Sequence, residues 1–212
     1  MGAVSSPDVL PVDRTNRRQA GEVLGRAFYA TDQWAALLPH ADSRERQLRQ
    51  IFSASVSLAH AAGGIVERTR GFEAVSVWLP PGREVGLWPI VKSGFASAGF
   101  LVTPPFPNLR RMMATHRQFD ESHKRHMPDP HWYLMALGVD PVHQGAGHGS
   151  ALVRSGVDKA DRDNTPVYLE TEKEPNTSFY EKLGFEVLDE ITINAIDISF
   201  SLMLRQSVSP GG

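Results

Sequence analysis

GVDPVHQGAGHGSALV, residues 138–153, sets Gly145, Gly147 and Gly149 within five positions and then runs into a helical pattern. Glycine costs about 1 kcal/mol inside a helix relative to alanine, so this density marks a place where bare backbone is wanted. Upstream lies HWYLMALGV (131–139), an apolar, aromatic-rich run of strand length. Downstream, Leu152, Val153, Val157 and Ala160 recur at helical spacing, predicting a helix to about Asp163. A strand, a glycine turn and a helix N-terminus together make an anion site. Unpaired N–H groups and the helix dipole converge there, and missing side chains let a phosphate come close.

Three phosphate loops compete for this pattern. A P-loop ends in Gly-Lys-Ser/Thr, whereas Gly149 is followed by Ser150 and Ala151 with no lysine. The dinucleotide fingerprint G-x-G-x-x-G/A is met by Gly145 and Gly147 and nearly by Ser150, with Glu170 placed where a ribose-binding acid belongs. Against it, five residues, Asp140 to Gln144, separate strand from first glycine, and only 42 residues follow Glu170. Those are too few for the remaining βα units. The third pattern, Q/R-x-x-G-x-G/A, is satisfied by Gln144, Gly147 and Gly149. A glycine-rich loop without a ligand is the bland alternative.

The third pattern resembles the pyrophosphate loop of the GNAT superfamily of N-acetyltransferases, which bind acetyl-coenzyme A. The sequential context agrees: strand LMALGV, QGAGHG, helix, strand VYLE (167–170), then PNTSFYEKLGF (175–185). Residues 131–187, with VSVWLPPG at 75–82, resemble the antibiotic-modifying, puromycin N-acetyltransferase-like branch. The likeness covers about 60 C-terminal residues well and the N-terminal half loosely. It implies an α/β (α+β) fold with a mixed, mostly antiparallel central sheet, splayed strands and flanking helices. It implies that the backbone of Gln144, Gly145, Ala146, Gly147, His148, Gly149 and Ser150 holds the pyrophosphate. Leu137, Gly138 and Val139 would pair with pantetheine as if it were an added strand, Gly138 suiting a bulge there. Asn176 either bonds coenzyme A or caps the next helix.

The rest of the chain reads as alternating elements of a single domain over 11–205, with 131–200 carrying the acetyl-CoA site. Residues 1–10 and 206–212 are expected to be disordered. DVLPVD is a short strand candidate; helices are predicted over 17–30 and 43–62, with Leu48, Ile51, Phe52, Val56 and Leu58 inward. GIVERTR and FEAVSVWLP are β-like runs ended by Pro80-Pro81-Gly82. Residues 83–108 are irregular and carry Trp88, Phe95, Phe100 and Phe106. A polar helix follows over 108–126. SFYEKLGF predicts a short helix with a Ser178/Glu181 capping box, closed by Gly184. EVLDEI and AIDISFSLML finish as strands.

Composition bounds the function. A net charge of −2, with 22% charged residues, gives no electrostatic footprint for nucleic acid or an anionic membrane. The chain has no cysteine, which excludes disulfides, thiolate metal sites and a cysteine nucleophile. No apolar run approaches the roughly 18 residues of a membrane span, and the N-terminus lacks a secretory signal. Met1-Gly2 with Ser5 and Ser6 matches a myristoylation start only loosely. A cytoplasmic monomer or homodimer is expected.

Without a thiol to carry acetyl, direct attack of an amine on the bound thioester is the economical route. Deprotonating an alkylamine of pKa near 10.4 at pH 7 costs about 4.6 kcal/mol, so a base is wanted. Glu170 is the base that the resemblance implies; the alternative is a solvated strand-end carboxylate that attracts the ammonium. Glu172 and Glu174 read as surface residues. Tyr180 would hydrogen-bond the departing thiolate, or else be a core tyrosine beside Phe179. His116, His123, His126 and His131 lie within 16 residues, but no carboxylate set accompanies them at a metal-site spacing. They read as a solvated face, with no metal. The acceptor, a small and partly apolar amine such as an antibiotic, is expected near Tyr29, Trp34 and Trp78, whose other reading is a satellite core. A protein N-acetyltransferase and a non-catalytic acyl-CoA sensor are the competing functions.

Overall fold

Seven short strands form one sheet, and helices cover both of its faces. The structure is a computed structural model that describes residues 7–83, 106–127, 129–172 and 174–208. In chain order the elements are β1 (Val9–Pro11), α1 (Arg17–Phe28), α2 (Asp32–Leu37), α3 (Ala41–Ala61), β2 (Ile65–Thr69) and β3 (Ala74–Leu79). They continue with α4 (Phe106–His126), β4 (Trp132–Val139), a 3₁₀ turn (Pro141–His143) and α5 (His148–Arg162). β5 (Val167–Glu172), α6 (Asn176–Glu181), β6 (Glu186–Ile193) and β7 (Ile198–Arg205) complete the chain. The sheet order is β1-β2-β3-β4-β5-β7-β6, antiparallel throughout except between β4 and β5.

That one parallel step matters most. β4 and β5 pair only at Trp132–Val167 and Tyr133–Tyr168, after which the strands separate. The splay leaves Leu137, Gly138 and Val139 at the end of β4 without a β5 partner. A register shift opposite Val77/Trp78 leaves Met135 as the extra residue of β4. The bulge therefore sits at Met135 and not at Gly138. Gly138 serves a close approach instead: a Cβ there would lie 2.9 Å from Ala27 Cβ and Leu24 Cδ2 of α1.

Helical periodicity places the core. Leu48, Ile51, Phe52, Val56 and Ala59 form the buried stripe of α3, at spacings of three and four; Leu58, expected inward, is one position off this stripe and only half-buried. α1 buries Ala20, Val23 and Leu24 together with Gly21 and Gly25. A Cβ on Gly21 would come within 2.8 Å of Ser53 Cα, and one on Gly25 within 3.0 Å of Arg49 N. The two helices therefore cross backbone to backbone, and the propensity cost of glycine is offset by packing. On the opposite face Trp78, Leu134, Val153, Val157, Leu169 and Phe185 form a second core under α5 and α6.

Several expectations change. Trp78, expected at the acceptor site, is fully buried. Its Nε1 donates to Ser76 Oγ at 3.0 Å, and its ring fills the space over Gly156. It is a core residue. Val9 and Leu10, within the segment expected to be disordered, pair with Thr69 and Arg68 in the sheet. α2 was not legible as a helix, since six residues are too few to show a period. The 178/181 capping box does not form. α6 starts at Asn176, with no side-chain cap, and Ser178 Oγ donates to Glu174 Oε1 at 2.8 Å instead. Gly184, at φ +86°, closes α6 as predicted. Trp88, Phe95 and Phe100 lie outside the described residues. Among the described residues no helix is long and apolar enough to cross a membrane.

Candidate active site

The glycine loop joins the end of β4 to α5 and projects into solvent. Asp140 anchors its start: the backbone N–H donates to Glu73 O at 2.8 Å. Its carboxylate accepts from Arg26 Nε at 2.7 Å and from Val142 N at 3.3 Å. Gln144 Nε2 reaches back to Val139 O at 3.5 Å. Gly145 and Gly147 have φ of +79° and +86°, and a Cβ at either would meet nothing within 4 Å. Left-handed backbone explains why these positions are glycine, and the open space beside them is where an anion can approach. α5 begins at His148 with Gly147 as N-cap and no side-chain cap. Its first-turn N–H groups, from His148, Gly149 and Ser150, are thus free of side-chain acceptors. Gly149 is the packing member of the three: its Cβ would meet Val139 Cγ2 at 3.2 Å and Phe179 Cζ at 3.5 Å. A diphosphate fits this uncapped, side-chain-free cradle. Ala146 is exposed at its rim.

Glu170 stands on β5 just beyond the last β4–β5 pair, where the strands have parted. Its side chain is 7% exposed, so the solvated strand-end reading does not apply. Oε2 accepts from Tyr133 Oη at 2.7 Å, while Oε1 is buried and makes no hydrogen bond. Burial pushes the carboxyl up to about 7, because a charge held away from water loses its solvation. The Tyr133 and Tyr168 hydroxyls oppose that rise.

Four residues around Glu170 escaped the sequence reading as site residues. Tyr168 shares its strand face, two positions back. Tyr133 sits opposite Tyr168 across the parallel pair. His123 comes from α4, with its ring centroid 4.6 Å from both tyrosine rings. Its Nδ1 is 3.8 Å from Glu170 Oε1. His131, just before β4, holds its Nε2 2.6 Å from His123 Nε2. The solvated-face reading of the histidines is therefore wrong for this pair. Burial holds His123 down at about 4, with His131 adding to the effect, and burial also lowers His131. The available signal was the inward stripe of α4, Met112, Thr115, Phe119 and Ser122, which His123 extends. Among the described residues no group of three or more His, Cys, Asp or Glu is placed to hold a metal ion.

Tyr180 lies on α6 in the second core, its ring 4.9 Å from Phe179 and 5.7 Å from Phe185. Burial raises its phenol above the ordinary value. Asn176 is exposed at the start of α6 and does not cap it. Glu172 is half-buried rather than a surface residue; its Oε1 accepts from Gln33 N at 3.0 Å, tying α2 to the end of β5. That contact brings the α1–α2 corner to the splay. Tyr29 and Trp34 are both half-buried there, Tyr29 under the Arg44 guanidinium and Trp34 edge-on to Phe52.

The acetyltransferase (GNAT) family model matches residues 111–185, which hold the glycine loop, Glu170 and Tyr180. The chain is 24% identical over 205 residues to an uncharacterized N-acetyltransferase of Schizosaccharomyces pombe, covering 92% of this chain and 81% of that one. Its fold is similar to that of histone acetyltransferase HPA2 and related acetyltransferase from Corynebacterium glutamicum. That match has a TM-score of 0.67 and 24% identity over 98% and 99% of the two chains. It is also similar to yncA of Salmonella typhimurium, solved with its cofactor acetyl-CoA, at TM-score 0.55 and 15% identity over 98% of each chain. Residues 111–185, which hold the glycine loop, thus match the acetyltransferase (GNAT) family model, and the chain as a whole shares the fold of these acetyltransferases, with its single splayed parallel pair.

Proposed function

We propose that this protein transfers acetyl from acetyl-CoA directly to the amine of a small, partly apolar molecule, within a ternary complex. The observation that carries this reading is Glu170: a buried carboxyl at the mouth of the splay, held near pH 7 by burial. A base poised near the working pH combines a useful ionised fraction with enough strength to take a proton.

In this reading the loop from Gln144 to Ser150 holds the pyrophosphate through backbone N–H groups. Leu137, Gly138 and Val139 offer the unpaired edge of β4 to pantetheine, and Asn176 adds a polar contact from α6. The acceptor lies against Tyr29 and Trp34. Glu170 takes a proton from the incoming ammonium, and Tyr180 donates a hydrogen bond to the departing thiolate. Full proton transfer from Tyr180 is uphill, because a thiol is the stronger acid by about 2 kcal/mol and burial weakens this phenol further. Asp32, Glu172, Glu174 and Asp197 line one groove beside α2 and β5, which favours an acceptor that arrives as a cation. The motif VSVWLPPG and the segment 131–187 support placement in the puromycin N-acetyltransferase-like branch.

The test is an amine panel read by thiol release, run beside calorimetric titration of acetyl-CoA. Turnover with small apolar amines is expected. Tight acetyl-CoA binding with turnover only of peptides would replace this acceptor class with a protein substrate. Binding without turnover of either would leave a sensor.

A further inference from the structure

We infer that His123 and His131 form a proton relay that returns Glu170 to its ionised state after each turnover, carrying the proton from the buried carboxyl to solvent. The inference rests on the reading of Glu170 as the base.

The hydrogen bonds fix a direction. His131 Nδ1 lies 2.7 Å from Asp129 O, a carbonyl that can only accept, so His131 carries its proton on Nδ1. Its Nε2 is then an acceptor and faces His123 Nε2 at 2.6 Å; His123 must be the donor, with its proton on Nε2. That leaves His123 Nδ1 as an open acceptor, 3.8 Å from Glu170 Oε1. Oε1 is the oxygen that Tyr133 does not engage; it is buried without a well-formed hydrogen bond, and the Tyr168 hydroxyl beside the carboxylate favours its charged form. Each tautomer follows from the one before, and the chain ends on an acceptor aimed at the site of the acid proton.

The step balances without another reactant. When Glu170 holds the proton taken from the amine, its Oε1–H bond breaks as a bond forms to His123 Nδ1. The proton on His123 Nε2 passes to His131 Nε2. Glu170 is then a carboxylate, His123 is neutral in the opposite tautomer, and His131 is an imidazolium that releases its proton to water; before the next turnover His123 gives its Nδ1 proton to water and regains one on Nε2, which restores the starting pair. Movement of the His123 ring by about 1 Å brings Nδ1 within hydrogen-bond reach of Oε1. Coupling the two transfers matters, because burial disfavours a full charge on His123. His131 is half-exposed and can carry the charge to solvent.

The groups facing the relay are few. Tyr133 comes from β4, Tyr168 and Glu170 from β5, and Asp120 and Lys124 from α4 on either side of His123. Both tyrosines stay protonated, since burial and the Glu170 charge raise them, so neither competes for the proton. The need for a relay is kinetic. An acid near pKa 7 that recombines with a proton at a diffusion limit of ~10¹⁰ M⁻¹ s⁻¹ sheds it at only ~10³ s⁻¹ even when fully exposed. A carboxyl covered by protein and substrates is slower, within the range of ordinary turnover.

The experiment compares the first turnover with the steady state at pH 7, where about half of Glu170 starts ionised and hydroxide is too dilute to bypass the relay. His123→Phe keeps the ring between Tyr133 and Tyr168; His131→Ala removes the half-exposed end and serves if the first variant does not fold. Each should leave the first-turnover rate within about threefold of wild type and lower the ratio of steady-state to first-turnover rate by about tenfold or more. Added imidazole should restore that ratio in His131→Ala. An unchanged ratio, or a first turnover that falls in step with the steady state, would overturn the relay and leave the histidines as packing. Glu170→Gln run in parallel separates the two ideas. If its first turnover matches wild type, the base assignment fails, whatever the histidines do.

Discussion

Glu170 sets the price of the site. A carboxyl raised from its ordinary 4.5 to about 7 in the folded protein binds a proton more tightly folded than unfolded. Its favourable contribution is therefore complete below about pH 4.5 and is lost as pH rises to 7 and beyond. At pH 8 the ionised side chain destabilises the fold by on the order of 3 kcal/mol. Glu170→Gln keeps an acceptor for Tyr133 and carries no charge. It should melt higher than wild type at pH 8, with the difference vanishing towards pH 4, while kcat/KM drops sharply. In wild type kcat/KM should rise through about pH 7 and then level off. Calorimetric melts across pH, beside initial rates, check both arms; a variant that is no more stable at pH 8 would mean that Glu170 is not a buried charge.

At the scale of elements, α5 has two glycine-dependent contacts that are independently testable. Its N-terminus depends on Gly147, where φ of +86° and the open space beyond it coincide. Gly147→Glu places a carboxylate in the anion cradle and should weaken acetyl-CoA by ~100-fold or more, about 2.7 kcal/mol. Gly147→Ala should mainly cost stability, about 1 kcal/mol for the left-handed backbone. Titration calorimetry on the folded variants separates the two; undiminished affinity in Gly147→Glu would remove the loop from the binding site. Further along α5, a Cβ on Gly156 would land on the Trp78 ring. That ring is fully buried and held by Ser76, so it cannot step aside. Gly156→Ala should lower stability by about 1–3 kcal/mol, seen as a reduced urea midpoint at constant slope.

For the molecule as a whole, the sheet brings the loop at the end of β4 and the Glu170 carboxyl on β5 to one opening, because the strands that carry them part after two residue pairs. On the proposed function, and with no cysteine in the chain, transfer should need both reactants at once. Double-reciprocal plots at several fixed acetyl-CoA concentrations should intersect. Parallel lines with an isolable acetyl-enzyme would point to a covalent carrier instead.

The sequence by itself determined the features that are local. Gln144, Gly147 and Gly149 between an apolar strand and a helical stripe specify the loop, because left-handed backbone and an uncapped helix start are properties of adjacent residues. Gly184 ending α6 and the inward stripe of α3 were legible for the same reason. What tertiary structure decided was every pairing across long separations. Trp78 has the composition of a pocket residue, and only the packing of α5 on β3 makes it core. Glu170 reads as a strand-end acid, and it becomes a buried carboxyl only when Tyr133, Tyr168 and His123 close around it. His123 sits on a polar helix whose composition suggests solvent. Its role depends on which face of α4 meets β5, and that is fixed by Phe119 against Phe200 and by Arg111 and Gln118 gripping Ala195. Desolvation, which moves these groups away from their ordinary acidities, arises from residues far apart in the chain, so no local pattern records it.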